Sequence, residues 1–250
     1  YPIGDLYGYP DSLIRARTGA AYTYGIPLLQ GSYETILDFG SGRGHGVKKI
    51  HDGLTPKLVV SLDKYLPYLE AQRMVLGENE IQRSYHFVNA LADLPFKDAS
   101  FDAVFCMHVI EHLKDPAHLV DEVVRVLNNQ GTFIVATPDK RNLVGKSPYD
   151  QHVFTNTELA LLLEESGFIP EFFYIVPNEK AMRVHERKKW LARYASFTVK
   201  LRNRVSPKLW DRIILRSGIS REPLTIQDFI LSRDYYPNTI DILSVASKPA

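Results

Sequence analysis

Residues 36–46 read Ile-Leu-Asp-Phe-Gly-Ser-Gly-Arg-Gly-His-Gly, an apolar run that passes through Asp38 into alternating glycines. Gly40, Gly42 and Gly44 put no β-carbon into the turn, so the backbone can approach a ligand closely and take dihedrals closed to other residues. The run that follows, 45–51, predicts a helix whose unpaired N–H groups point back at whatever the turn holds. Strand, glycine cradle and helix together predict the opening unit of an α/β fold that binds a nucleotide-like ligand.

Spacing narrows the ligand. The dinucleotide fingerprint needs glycines in the order GxGxxG, but the sixth position is His45 counted from Gly40 and Val47 counted from Gly42. A phosphate-gripping P-loop fits no better: the Gly145-Lys146-Ser147 triplet has Lys140 where that motif requires its first glycine. One strand further on, the apolar run 57–62 ends in Asp63, 25 residues after Asp38. That is close to the separation at which an acid takes ribose hydroxyls after a glycine turn. A carboxylate suits the work because it accepts from two vicinal hydroxyls at once. Asp63 is also placed to cap a helix over 65–76.

The GxGxG turn resembles motif I of the class I S-adenosylmethionine-dependent methyltransferases. In that family the acid before the glycines, here Asp38, lies near the amino acid end of the cofactor. The resemblance implies a Rossmann-like α/β fold with a seven-stranded, mostly parallel sheet, helices on both faces and a helical insertion before the last strand. It covers about 35–176 well and the final strand loosely. S-adenosyl-L-methionine is the implied cofactor, held by Asp38, Gly40, Ser41, Gly42, Gly44, Asp63, Lys64, Ala90, Leu91 and His108. The stretch from Asn89 to Phe96, followed by 101–105, resembles the adenine-side loop of the family with one departure. Ala90 stands where the family carries an acid that accepts from the adenine amino group. Asn89 and Asp93 are the nearest replacements, with backbone N–H groups and apolar packing around Leu91 as the alternative.

After a strand over 101–107, the residues His108-Val109-Ile110-Glu111-His112 match HxxEH, an inverted zinc peptidase motif. Zinc requires both histidines on one continuous helix, whereas the preceding run is strand-like and Asp115-Pro116 starts a new helix as N-cap and first-turn proline. No metal is expected. The same residues resemble the EH(L/V)xDP signature of methyltransferases acting on small molecules, quinone precursors and glycans, in which the EH pair borders the transferring methyl group. His112 is then the leading candidate base, since imidazole titrates near neutral pH, with Glu111 beside it. A structural role for His112 in shaping the cofactor pocket fits equally well. His108, Asp139 and His152 are lesser candidates. His152 lies in a stretch, 148–155, similar to one in glycan-modifying relatives.

The rest of the chain predicts a helix over 116–127, a turn over 128–131, a strand over 132–136, a capping box at Thr155 and Glu158, a helix ending at Gly167, and strands over 168–176 and 240–246. Strands alternating with such helices mean a mostly parallel sheet covered on both faces.

The 250 residues, 45% hydrophobic and 24% charged, suit a single domain with a substantial core. Within 1–250, a helical cap over 1–33 and a basic helical insertion over 178–234 are expected. A lone cysteine, Cys106, excludes an internal disulfide framework and predicts a buried thiol in a reducing, cytoplasmic setting. No apolar run reaches the roughly 20 residues of a membrane span, and no signal peptide is visible. Net charge is +1, yet 180–216 carries twelve Lys or Arg against two acids. Its apolar residues recur at helical spacing through Trp190 and Trp210. A lid over the acceptor, an oligomer interface, or peripheral contact with an anionic membrane all fit this segment. Nucleic acid is not an expected partner, since no RNA-binding motif accompanies the charge.

Ahead of the first strand, Tyr7, Tyr9, Tyr22 and Tyr24 interleave with Arg15 and Arg17. Aromatic faces pack on sugars or flat rings, and the arginines suit a phosphate or carboxylate of the acceptor. The expected function is methyl transfer to a hydroxyl of a saccharide or other small metabolite. A quinone or lipid-linked acceptor is the alternative within the class, and a non-catalytic nucleotide-binding protein the alternative outside it.

Overall fold

A computed structural model describes residues 12–82, 84–88, 93–143, 150–193 and 224–249. Its centre is a sheet in the order β3-β2-β1-β4-β5-β8-β6-β7. The strands are β1 (Thr35–Phe39), β2 (Leu58–Asp63), β3 (Ser84–Val88), β4 (Phe101–Met107), β5 (Leu127–Pro138), β6 (Ile169–Pro177), β7 (Phe229–Ser232) and β8 (Asp241–Ser247). The first five pair in parallel, β8 runs antiparallel between β5 and β6, and β7 adds an antiparallel edge. The seven expected strands are therefore joined by a short eighth. It lies at the end of the segment expected to be a helical insertion.

Seven helices accompany the strands among the described residues: α1 (Ser12–Gly25), α2 (His45–Leu54), α3 (Leu66–Gln72), α4 (Glu78–Gln82), α5 (Pro116–Val126), α6 (Asn156–Glu165) and α7 (Glu179–Arg193). Strand periodicity divides the core in two, because successive side chains leave opposite faces. Ile36, Ala103, Phe105, Ile134 and Ala136 pack with Ala16 and Ala20 of α1, Val47 and Ile50 of α2 and Ala181 of α7. Their neighbours Leu37, Phe39, Val104, Cys106, Phe133 and Val135 pack with Leu119 and Val123 of α5 and Leu159 and Leu163 of α6. Both faces are thus covered, and Cys106 is buried as expected.

Local signals set the helix ends. Asp115 accepts from the N–H of His118 at 3.0 Å, with Pro116 in the first turn. Thr155 and Glu158 form the reciprocal capping box, and Gly167 takes φ +89° just past α6. Two boundaries differ from expectation. The helix after Asp63 ends at Gln72 rather than 76. Residues 128–131 do not form a free turn. They continue β5 as an irregularity, in which the register with β4 jumps from Phe101↔Leu127 to Ala103↔Thr132 and Gln130 takes φ 65°.

Of the expected basic segment 180–216, α7 accounts for the described part, and the remainder lies outside the described residues. Among the described residues no helix is long and apolar enough to cross a membrane.

Candidate cofactor and acceptor site

Strand order reverses across the sheet between the parallel neighbours β1 and β4, since β1 leads outward to β2 and β3 while β4 leads the other way. Such a switch point opens a crevice at the carboxyl ends of the strands. The glycine turn falls there. Gly40, Gly42 and Gly44 all adopt positive φ, at 74°, 54° and 83°. They do so for different reasons. A β-carbon on Gly40 would sit 2.3 Å from Val109, and one on Gly44 would sit 2.7 Å from Gln72, whereas one on Gly42 would meet no protein atom within 4 Å. Gly42 therefore faces open space, while its neighbours let other parts of the chain close in.

Hydrogen bonds hold the turn. Gly40 and Ser41 donate to the carbonyl of Leu62 at 2.7 and 3.1 Å, tying the turn to the end of β2. Asp63, the next residue, accepts from the N–H of Gly42 at 2.9 Å and from that of Tyr65 at 2.9 Å. Its carboxylate thus braces the cradle instead of capping α3, whose first turn follows Tyr65. Gln72, fully buried on α3, donates to Ser41 Oγ and to the Gly42 carbonyl, both at 2.9 Å. No sequence signal marks Gln72, because a glutamine inside a helix looks like any surface residue until its contacts are known. Lys64 is exposed at the bend after β2.

Asp38 is completely buried at the end of β1 and accepts a 2.6 Å hydrogen bond from the Tyr22 hydroxyl. Burial pushes its carboxyl up to about 7; the Tyr22 hydrogen bond opposes the rise and Asp63 adds to it. Tyr22, expected to face an acceptor, is instead packed inside, stacked on Phe105 at 5.9 Å. The acceptor role read for Arg17 is also corrected: its guanidinium is held by the buried Asp241 at the start of β8, with Nε donating at 2.9 Å. Arg15 is exposed. Tyr7 and Tyr9 lie outside the described residues.

His108 follows β4 in a left-handed conformation, φ 57°, and its N–H donates to the Ala136 carbonyl at 2.8 Å. A single 3-10 turn, Ile110–His112, comes next, so the two histidines of HxxEH do not share an α-helix. Among the described residues no cluster of three His, Cys, Asp or Glu is placed to hold a metal ion. Glu111 is buried, with Thr137 donating to its Oε2 at 3.2 Å, and His108 Nδ1 lies 3.8 Å from Glu111 and 3.9 Å from Asp241. His112 Nδ1 lies 3.1 Å from Asp150 Oδ1. The loop that carries Asp150 is latched to this turn, since the N–H groups of Gln151 and His152 both donate to the Glu111 carbonyl, at 2.8 and 3.0 Å. His152 itself turns to the Lys114 carbonyl at 3.1 Å, and Asp139 is bound by Arg141. Val109 packs over Gly40, so this turn meets the glycine cradle at that residue. On the adenine side, Asn89, Ala90 and Leu91 lie outside the described residues, and Asp93 pairs with His118 at 3.1 Å.

Residues 37–135, which run from β1 through β5, match the family model described as a methyltransferase domain. Over this stretch the chain matches a methyltransferase domain, and relatives of it are named S-adenosylmethionine-dependent methyltransferases. A Mycolicibacterium smegmatis protein named "Probable S-adenosylmethionine-dependent methyltransferase" is 35% identical over 138 residues, covering 53% of this chain and 51% of that protein. A malonyl-[acyl-carrier protein] O-methyltransferase of a Marinomonas species is 30% identical over 115 residues, covering 45% of this chain and 40% of the relative. The chain thus spans about half the length of the curated relatives it matches. Among solved structures, the YcgJ protein of Bacillus subtilis superimposes with a TM-score of 0.61 at 16% identity, over 92% of this chain and 98% of that one, a likeness of fold.

S-adenosyl-L-methionine is the cofactor of this methyltransferase domain, and the crevice fits it on two counts. Gly42 leaves room where a side chain would stand, and Asp38 Oδ2 is buried with no hydrogen-bond partner among the described residues. Groups of this kind are rare in folded proteins without a ligand or water to satisfy them.

Proposed function

We propose that this domain transfers a methyl group from S-adenosylmethionine to a hydroxyl of a small metabolite, with a saccharide as the preferred class of acceptor. The observation that carries the oxygen-directed reading is the approach of His112 Nδ1 to Asp150 Oδ1, 3.1 Å, on a turn that packs over the glycine cradle. When bound, the cofactor supplies an electrophilic methyl group on a sulfonium. A hydroxyl acceptor must lose its proton as it attacks, so a base beside it contributes where an amine or thiolate would need none.

In this reading Asp38 and Asp63 hold the two ends of the cofactor's sugar and amino acid, and Ser41, Gly42 and Gly44 form the floor between them. His112 takes the acceptor proton at Nε2. Asp150, whose charge lies on the Nδ1 side, stabilises the imidazolium that forms. Glu111 is too enclosed to reach an acceptor and serves by holding the 150–152 loop through its carbonyl and Thr137 through its carboxylate. The naming of one relative as an O-methyltransferase supports the same direction. The similarity of 148–155 to glycan-modifying relatives supports a sugar.

The test is a turnover assay of the full chain with labelled S-adenosylmethionine and matched acceptors: neutral saccharides, phenols and primary amines. Labelled methyl ethers from saccharides are the expected product. Labelling confined to amines would remove the oxygen-directed reading, and labelling confined to phenols would remove the saccharide.

A further inference from the structure

Gly46, the last glycine of the opening motif, does not line the cradle. A β-carbon there would stand 2.2 Å from the ring of Tyr22. The position is glycine because α1 lays a tyrosine across the start of α2, with its ring stacked on Phe105 at an interplanar angle of 15°. So placed, the Tyr22 hydroxyl reaches Asp38 Oδ1 at 2.6 Å, and Asp38 Oδ2 is left buried without a partner among the described residues. A buried carboxylate oxygen with no donor is costly, and a neutral donor would leave the charge uncompensated. The chemistry that satisfies it is a cationic N–H group.

We propose that Tyr22 is a positioning residue for the cofactor's amino acid end, its phenol fixing one oxygen of Asp38 so that the other is presented to an ammonium group. The proposal rests on the reading that the crevice takes S-adenosylmethionine. The ionisable groups facing Asp38 are Tyr22 from α1, Asp63 from β2 and Cys106 from β4. Burial holds the phenol and the thiol well above their ordinary values, so both stay protonated near neutral pH. Asp38 itself changes charge near pH 7. Below that pH its carboxyl is neutral and a poor partner for an ammonium, so cofactor affinity falls as the solution is acidified. The Tyr22 hydrogen bond opposes protonation. Removing it therefore moves the fall in affinity to higher pH.

Titration calorimetry on the full chain from pH 5.5 to 7.5 tests this, with S-adenosylmethionine and with 5′-methylthioadenosine, which keeps the nucleoside and sulfur but lacks the amino acid. An α-amino group stays largely charged below about pH 7.5. For the unmodified chain, S-adenosylmethionine affinity is expected to fall by up to about tenfold per pH unit on the acid side. Tyr22→Phe, which keeps the ring, is expected to shift that fall upward and to weaken S-adenosylmethionine at pH 7 by about tenfold, the low end for one hydrogen bond to a charged group. Asp38→Asn is expected to abolish the pH dependence. Methylthioadenosine affinity is expected to be the same in all three proteins. Coincident profiles for the unmodified chain and Tyr22→Phe overturn the proposal, as does equal weakening of both ligands, which would make Tyr22 a packing residue only. If Tyr22→Phe does not fold, a pH-independent affinity in the unmodified chain overturns it. Failure of the unmodified chain to bind either ligand removes the cofactor reading, and the proposal with it.

Discussion

Arg17, on the first helix, grips Asp241, the first residue of the last strand: Nε donates to Oδ2 at 2.9 Å and Nη2 bonds the other oxygen. Both are largely buried, with side chains 13% and 0% exposed. Burial alone would raise the Asp241 carboxyl, but the Arg17 charge, with His108 adding to it, holds it below the usual carboxylate range. Removing one partner of such a pair leaves an uncompensated buried charge. Arg17→Met is expected to destabilise the chain by about 3 to 5 kcal/mol at pH 7, read by urea unfolding. The double variant Arg17→Met with Asp241→Asn should recover at least about 1 kcal/mol of that loss, because the orphaned charge is gone. A double variant no more stable than the single one would show that the pair matters through shape and not charge. Since the folded-state carboxyl is depressed, the pair's contribution is present above the unfolded value, about 3.9, and fades as pH falls through the lower folded value.

The glycines of the cradle separate packing from binding. Gly40→Ala adds a methyl that must displace Val109 in a backbone at φ 74°, so a loss of about 1 to 3 kcal/mol in stability is expected. Gly42→Ala at φ 54° meets no protein atom, and its methyl enters the space assigned to the cofactor. Its cost in stability should be about 1 kcal/mol, the strain of a left-handed alanine, while S-adenosylmethionine affinity drops more than tenfold. Thermal unfolding and calorimetry together check the contrast, and equal ratios of the two effects in both variants would count against it.

Asp63 has two duties, and Asp63→Ala should reveal both. Gly42 and Tyr65 lose the acceptor of their N–H groups, which is expected to cost about 1 to 2 kcal/mol in the ligand-free chain. Cofactor affinity should weaken by a further 1 to 3 kcal/mol or so through lost charged hydrogen bonds. Calorimetry showing unchanged affinity would mean that the ribose is held elsewhere.

His112 and Asp150 act as a unit in the proposed reaction. His112→Ala and Asp150→Asn are each expected to lower turnover on a hydroxyl acceptor, the first by about 10²-fold, with S-adenosylmethionine affinity preserved. The double variant should be little slower than His112→Ala alone, because residues that work together are not additive. Multiplying effects would place the two residues in separate roles.

Asp38 illustrates the cost of keeping a carboxylate buried for a ligand. Its raised folded-state value, about 7, means that the ligand-free folded chain holds a proton that the unfolded chain has released between about pH 4 and 7. Stability should therefore decline as pH rises through that window. Asp38→Asn removes the effect and is expected to make the ligand-free chain more stable at pH 8, by a margin on the order of 2 kcal/mol. A melting temperature lower than that of the unmodified chain at pH 8 would contradict this account.

Local chemistry was legible before any coordinates: the glycine turn after β1, the acid at the end of β2, the Asp-Pro start of α5 and the capping box of α6 each depend on residues a few positions apart. Continuous apolar runs likewise announced strands buried on both faces, because a parallel sheet covered by helices leaves neither face to water. The partners of those features were not legible. Tyr22 with Asp38, Gln72 with Ser41, His112 with Asp150 and Arg17 with Asp241 are joined by the strand order and by helices folded back across it. Chain separation carries no information about such pairs. The sequence by itself determined that a nucleotide cradle opens an α/β sheet, because turn and strand preferences are local. Only the tertiary structure decided that an arginine and a tyrosine expected to meet an acceptor are spent inside, one on Asp241 and one on Asp38, because burial creates charges and oxygens that must be satisfied wherever the fold brings a donor near.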